Sequence, residues 1–159
     1  MRKLWNRSPA GVWSLVTTDK ADRPNMNICS YVSAVSMDPK LLMVAVYKGT
    51  QTRDNVRDGS AVLMQLLTED QAHFVRLLGK QSGRNVDKVA RLTQRGLLSY
   101  AKSLPFLIDA AGYITGTIDS IHKINGDHDL VVIRVGTTKT LSSQPVLTTE
   151  YLRQHGYIR

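Results

Sequence analysis

Three groups of residues in this chain have the types and spacing to do chemistry. The first is the run from Pro24 to Pro39, PNMNICSYVSAVSMDP. Asn25 and Asn27 bring amide donors and acceptors, and small residues (Cys29, Ser30, Ser33, Ala34, Ser36) follow on what reads as an extended segment. Small side chains there let main-chain N–H and C=O groups approach a flat ligand closely. The second is Lys48-Gly49-Thr50-Gln51-Thr52-Arg53, whose hydroxyls, guanidinium and permissive glycine are equipment for a phosphate dianion. The third is Gly126-Asp127-His128-Asp129, an imidazole in a turn with room to reach into a cleft.

Each group also has a plainer reading. Asparagines after Pro24 make turns, and Thr50 to Arg53 describes a capped surface turn equally well. His128 also reads as a hairpin histidine bonded to Asp127 or Asp129. Cys29 has no resolving cysteine and reads as a small buried filler. Arg84 and Lys88 are four apart and share a face if their segment is helical, against cofactor or against solvent.

Other chemistries lack their residues. There is no Gly-x-Ser-x-Gly elbow, no His-Glu-x-x-His and no paired-cysteine signature. His73, His122, His128 and His155 lack metal-ligand spacing, so no metal is expected. No Gly-rich phosphate loop of the Rossmann or Walker kind is present, and a nucleotide would need a different scaffold.

The 159 residues suit one domain, residues 1–159, with 42% hydrophobic and 21% charged residues. A net charge of +8 calls for an anionic partner, either nucleic acid or a phosphate-bearing cofactor. The basic residues are scattered, aromatics are 6%, and no strand interleaves the two, which argues against nucleic acid. No apolar run approaches the roughly 20 residues that cross a bilayer, so no membrane association is expected. The N-terminus reads as the entry to a strand, and the single cysteine fits a reducing compartment. The expected location is cytoplasmic.

The elements that must position these residues are mostly strands. Val12 to Thr18, Leu41 to Tyr47, Ser60 to Leu67, Tyr113 to Ile121 and Leu130 to Val135 carry strand patterns, about six strands in all with short antiparallel links. The run Leu41 to Tyr47 is unbroken and apolar, as in a central strand, and Asn125-Gly126-Asp127 suits a hairpin. Thr68 to Gln71 has the form of a capping box before a helix that Gly79 would end. Short helices are expected near Gln51 to Arg57, Val86 to Gln94 and Thr148 to Gly156. Trp5, Trp13, Tyr151 and Tyr157 are expected to pack. One small β-barrel with a few short helices accounts for the pattern.

In their order along the chain these motifs resemble the flavin reductase-like family of FMN-binding split β-barrels. The resemblance rests on Val16-Thr17-Thr18, Asn25 to Ser30, Val35 to Pro39, the Lys48 to Arg53 loop, Ser82-Gly83-Arg84-Asn85-Val86-Asp87-Lys88 and Gly126-Asp127-His128, covering roughly Pro9 to Thr140. It implies a mainly β, antiparallel, Greek-key split barrel that forms a homodimer with FMN near the subunit interface. It implies hydride transfer from NADH or NADPH to flavin. Reduced flavin would then serve a partner monooxygenase, ferric iron or another acceptor. The implied cofactor residues are Asn25, Met26, Asn27, Ile28, Cys29 and Ser30 along the ring edge, with Lys48, Gly49, Thr50, Thr52, Arg53, Arg84 and Lys88 toward the phosphate. His128 is the implied catalytic residue, orienting the nicotinamide. Two departures stand out: Arg134 lies where the family has Glu, reversing a charge near the expected site, and Gln65 lies where it has Asn. The competing class is a non-enzymatic flavin- or haem-binding module, an electron carrier or sensor on the same barrel.

Overall fold

The structure, a computed structural model, describes residues 3–159. Seven of its nine strands form one antiparallel sheet. The strands are β1 (Trp13–Thr18), β2 (Pro24–Met26), β3 (Val32–Met37), β4 (Lys40–Tyr47), β5 (Ala61–Leu66), β6 (Leu98–Ala101), β7 (Leu104–Leu107), β8 (Gly112–Lys123) and β9 (His128–Thr140). The order across the large sheet is β2-β1-β5-β8-β9-β4-β3. Its first and last members, β2 and β3, are two ends of one extended run. That run leaves β1 after Met26 and joins β4 at Val32, and so closes the sheet on itself. β2 and β3 do not pair with each other, and the crossover at residues 27–31 is a seam where the ladder is thin.

Two apolar cores follow from the alternation of side chains along each strand. Leu15, Val44, Val46, Val62, Met64, Ile118, Val131 and Ile133 point into the barrel. Val16 and Leu63 point the other way, into a second core beneath the helices and the β6–β7 hairpin. Strands β1 and β5 are therefore apolar on both faces. Each fully buried Leu contributes about 1.5–3 kcal/mol, so both layers add to the stability of the fold.

The helices are α1 (Gln51–Asn55), α2 (Val75–Lys80), α3 (Lys88–Gln94) and α4 (Thr149–Gln154). Thr68 and Gln71 form the expected capping box, at the start of a 3-10 turn that runs into α2. Thr50, Asp87 and Thr148 cap α1, α3 and α4 through their side-chain oxygens. Gly156 takes φ +73° just beyond α4, as a helix-ending glycine does.

Several expectations need correcting. The strands number nine among the described residues, because the β6–β7 hairpin carries no alternation and Pro24 to Pro39 holds two strands. Gly79 does not end α2, which continues to Lys80. Residues Arg84 to Lys88 are not one helix: Asp87 is the cap of α3, so Arg84 and Lys88 do not share a helical face. Trp5 is 65% exposed and packs on neither core. Strand β4 lies between β3 and β9, next to last in the sheet order.

Candidate functional site

At the seam, the backbone runs out of protein partners. Asn27 N–H donates to Leu15 C=O at 3.3 Å, and Cys29 exchanges both its peptide hydrogen bonds with Trp13, each 2.8 Å. Tyr31 C=O then accepts from Ala45 N–H at 2.9 Å, which transfers the chain to β4. An extended chain points alternate peptide groups to opposite sides, so Ile28 and Ser30 face away from β1. Neither has a hydrogen-bond partner among the described residues. They border a cavity of about 600 Å³, within the range of small-molecule sites. Asn27, Gly49, Thr52, Leu78, Lys88 and His128 complete much of its wall.

Of the two asparagines, Asn27 Oδ1 accepts from Leu15 N–H at 2.9 Å, which leaves its NH₂ group to the cavity. Asn25 Nδ2 donates to Thr52 Oγ1 at 3.0 Å in a buried bond that ties the seam to α1. Asn25 Oδ1 rests against Gly83, where any Cβ would collide with it. Met26 is buried in the helical-side core, its Sδ accepting from Gln65 Nε2 at 3.4 Å, and is not on the cavity wall.

The Lys48 to Arg53 loop turns sharply at Gly49, φ +79°, where a side chain would be strained. Thr50 Oγ1 is engaged locally: it accepts from Arg53 N–H at 3.2 Å and donates to Tyr47 C=O at 2.8 Å. Arg53 Nε donates to Asp129 Oδ2 at 2.6 Å. Lys48 Nζ donates to the carbonyls of Ile124 and Gly126, both at 2.7 Å, and lies 3.5 Å from Asp129 Oδ1. Asp129 is buried, and the hydrogen bond from Arg53 holds its carboxyl below the usual carboxylate range. Arg84 is bound by Asp54 Oδ2 at 2.7 and 3.0 Å. Gly49, Thr50 and Thr52 line the cavity, whereas Lys48, Arg53 and Arg84 do not.

Lys88 is different. It is 4% exposed, lines the cavity, and has no carboxylate partner among the described residues. Its Nζ donates to Leu78 C=O at 2.8 Å, one bond from a group with three donors. Burial pushes its pKa down to about 8. A buried, unpaired ammonium is costly unless an anion comes to it. Burial also pushes the Cys29 thiol up to about 12, which leaves it protonated and unreactive at neutral pH.

His128 stands at the cavity mouth between two tyrosines. Its ring lies 5.4 Å from that of Tyr31 and 5.2 Å from that of Tyr47, centre to centre. Nδ1 is 2.7 Å from Asp127 Oδ1. An ionised carboxylate only accepts, so Nδ1 carries the proton and Nε2 has no partner among the described residues. The same bond holds the Asp127 carboxyl below its ordinary range. Tyr31, Tyr47 and the stretch at the end of α2, Leu78 to Gln81, escaped sequence reasoning as cavity residues. Tyr47 is paired with His128 across β4 and β9, a relation visible only once the register is known.

The wall therefore offers an unclaimed peptide edge, an amide, a buried cation and an aromatic rim, a set that fits a planar, phosphate-bearing ring such as a flavin. The sequence matches the family model "Flavin reductase like domain" over residues 5–155. The chain belongs to this family. Among curated relatives, the high molecular weight rubredoxin of Moorella thermoacetica is 24% identical over 142 residues, 88% of this chain. The chain spans 60% of that relative's length. Two solved structures share the fold. One is the flavin reductase component of a bacterial two-component tryptophan halogenase, with TM-score 0.79, 18% identity, and coverage of 92% of this chain and 89% of that one. The other is an FMN-binding protein from Thermus thermophilus, with TM-score 0.74, 22% identity, and coverage of 90% and 77%.

Within this flavin reductase-like barrel, both departures from the family pattern fall away from the cavity. Arg134 Nη2 donates to Asp119 Oδ1 at 2.6 Å across β8 and β9, so the reversed charge is balanced on the sheet surface. Gln65 is fully buried, accepts from Leu107 N–H at 2.8 Å and anchors β7 to β5, so it is no substitute amide for a ligand. No described helix is long and apolar enough to cross a membrane.

Proposed function

We propose that this chain is an NAD(P)H-dependent flavin reductase that binds FMN in the seam cavity and works as a homodimer. The observation that carries the reading is the pairing of unclaimed Ile28 and Ser30 peptide groups with the buried ammonium of Lys88 in one cavity. Bound there, FMN would supply a two-electron centre able to accept hydride from NADH or NADPH. The Ile28 and Ser30 peptide groups and the Asn27 amide hold the polar edge of the ring. Lys88, assisted by Thr52, holds the anionic end. Tyr31 and Tyr47 shield the mouth from water, and His128 uses Nε2 to orient the nicotinamide amide group. Alignment rather than acid–base chemistry is the demand on the protein, because hydride transfer needs no protein proton.

Acceptors consistent with the reading are a partner monooxygenase, ferric iron or oxygen. The solved relative that serves a two-component halogenase supports a reductase with a separate partner. Val35 and Met37, 52% and 84% exposed on β3, support a second subunit covering that edge. The reading is tested by loading the protein with FMN and titrating it anaerobically with NADH and NADPH, then filtering. Bleaching by one nucleotide is expected. Failure to take up FMN sinks the cofactor, and uptake without bleaching by either nucleotide sinks the reductase.

A further inference from the structure

Positive charge is unevenly placed in this chain. Residues 71–95 hold six Lys or Arg and a single carboxylate, Asp87, and so carry five of the eight net positive charges. The fold gathers them on one helix pair. Gln81 Oε1 accepts from Arg91 Nη1 at 3.2 Å, and the Arg95 guanidinium lies 5.9 Å from the centre of the Phe74 ring, so α3 is set against α2. Arg76, Lys80, Arg84, Arg91 and Arg95 are exposed there, and Lys88 alone of the six is buried. Arg76 and Lys80 have no hydrogen bond or ion pair among the described residues. Arg84 holds Asp54 in an exposed pair at 2.7 Å, and Asp87 is committed to capping α3, accepting from Ala90 N–H at 2.8 Å. Like charges gathered with so little counter-charge repel one another, and an anionic surface relieves that repulsion.

The patch borders the site, because Gly79, Lys80, Gln81, Ser82 and Gly83 line the seam cavity. What it lacks narrows the partner. Among the described residues, no large apolar side chain is exposed on α2 or α3, which leaves nothing to insert into a bilayer and no ring for a base to stack on. A charged surface without an apolar anchor suits brief encounters between proteins, where charge steers the approach more than it tightens the complex. We propose that the exposed face of α2 and α3 is a docking surface for an acidic acceptor protein, seated beside the seam cavity. This rests on the flavin reductase reading for what the partner collects, and on the charge alone for which partner fits.

The test uses the full chain and one acceptor in two charge states, native cytochrome c, which is basic, and its succinylated form, which is acidic. FMN-loaded protein is reduced photochemically, so no pyridine nucleotide is needed. Each reduced flavin gives one electron to each of two haems, returns to its oxidised form and releases its protons to solvent. The acidic form should be reduced about tenfold faster than the native form at ~20 mM salt, with the advantage gone near ~0.5 M. Replacing Arg76, Arg91 and Arg95 by Glu should reverse the preference, and replacing them by Gln, which adds no negative charge, should level the two rates. Replacing Lys3, Arg7 and Lys139 by Glu, an equal change of net charge outside the patch, should preserve it. Calorimetry of flavin-free protein with succinylated cytochrome c should show weak, saturable binding that falls at least about tenfold in the Arg76, Arg91, Arg95 set alone. No preference for the acidic form overturns the proposal, and so does an equal loss in both sets of variants. Tighter binding of a single-stranded DNA oligonucleotide, lost in the same variants, overturns it in favour of nucleic acid. Binding of succinylated cytochrome c by protein that takes up no FMN defeats the flavin reading and leaves the docking surface standing.

Discussion

At the seam, residues 27–31, the backbone leaves two peptide groups without partners among the described residues, in one cavity with a buried ammonium. At the corner where Lys48, Arg53 and Asp129 meet, both cations are held by the protein itself. Both regions combine polar residues with basic ones, the seam only through Lys88, which folding brings to it from α3. They differ in what folding leaves available. The corner uses its charge to strap the β8–β9 turn to the start of α1, and so fixes where His128 stands. The seam leaves its hydrogen-bonding capacity unused by the described residues. Residue type indicates what a group can do, and hydrogen-bond accounting shows whether it is still free to do it.

The comparison breaks most visibly at Lys88. Lys88→Met should weaken FMN binding about a hundredfold, the loss of a charged hydrogen bond in a buried site, yet leave the melting temperature of ligand-free protein unchanged or raised. Fluorescence titration and thermal melts read both; a large stability loss with FMN affinity intact would assign Lys88 to structure. Asp129→Ala should do the opposite at the corner. Its melting temperature should fall by on the order of 5 °C while FMN affinity moves little, because Arg53 and Lys48 lose their shared anchor. If FMN affinity collapses with unchanged stability, the corner belongs to the ligand site after all.

His128→Ala should slow anaerobic reduction by NADH or NADPH about tenfold with FMN affinity within about twofold, measured by stopped flow. Equal effects on both would remove its orienting role. A smaller effect is expected at the link between the regions. Thr52→Val strands the Asn25 amide and should cost about 1–2 kcal/mol in urea unfolding.

The pH dependence sharpens the contrast further. The Lys88 pKa is lowered to about 8 from 10.5, so between those values the unfolded chain binds more protons than the native one. Stability of the ligand-free protein should therefore rise from about pH 8 to pH 10.5, and FMN affinity should fall over the same range as the ammonium is lost. Lys88→Met should abolish both trends.

Much of the fold was legible along the chain because the signals are local. Thr68 and Gln71, Thr148 and Gly156, and the Asn125-Gly126-Asp127 hairpin act within a few residues of themselves. The unbroken or alternating runs of β1, β4, β5, β8 and β9 report burial directly. The β6–β7 hairpin was illegible because Leu98 to Leu107 lacks alternation and is held by packing and by the Gln65 side chain. Of the residues expected around a ligand, Asn25, Asn27, Ile28, Cys29, Ser30, Gly49, Thr50, Thr52, Lys88 and His128 line one cavity. Met26, Lys48, Arg53 and Arg84 turn elsewhere, for partners distant in sequence that the sequence could not name.

By itself, the sequence determined a β-rich fold, its main strands and helix caps, and the family-like order of its polar motifs. Those properties depend on neighbours within a turn or a strand. Tertiary structure alone decided that β2 and β3 close the barrel and leave a seam, that Lys88 is buried under the Leu78 carbonyl, and that Arg53 belongs to Asp129. The last two depend on groups ten and seventy-six residues apart meeting in space, where burial and competing hydrogen bonds choose the winner.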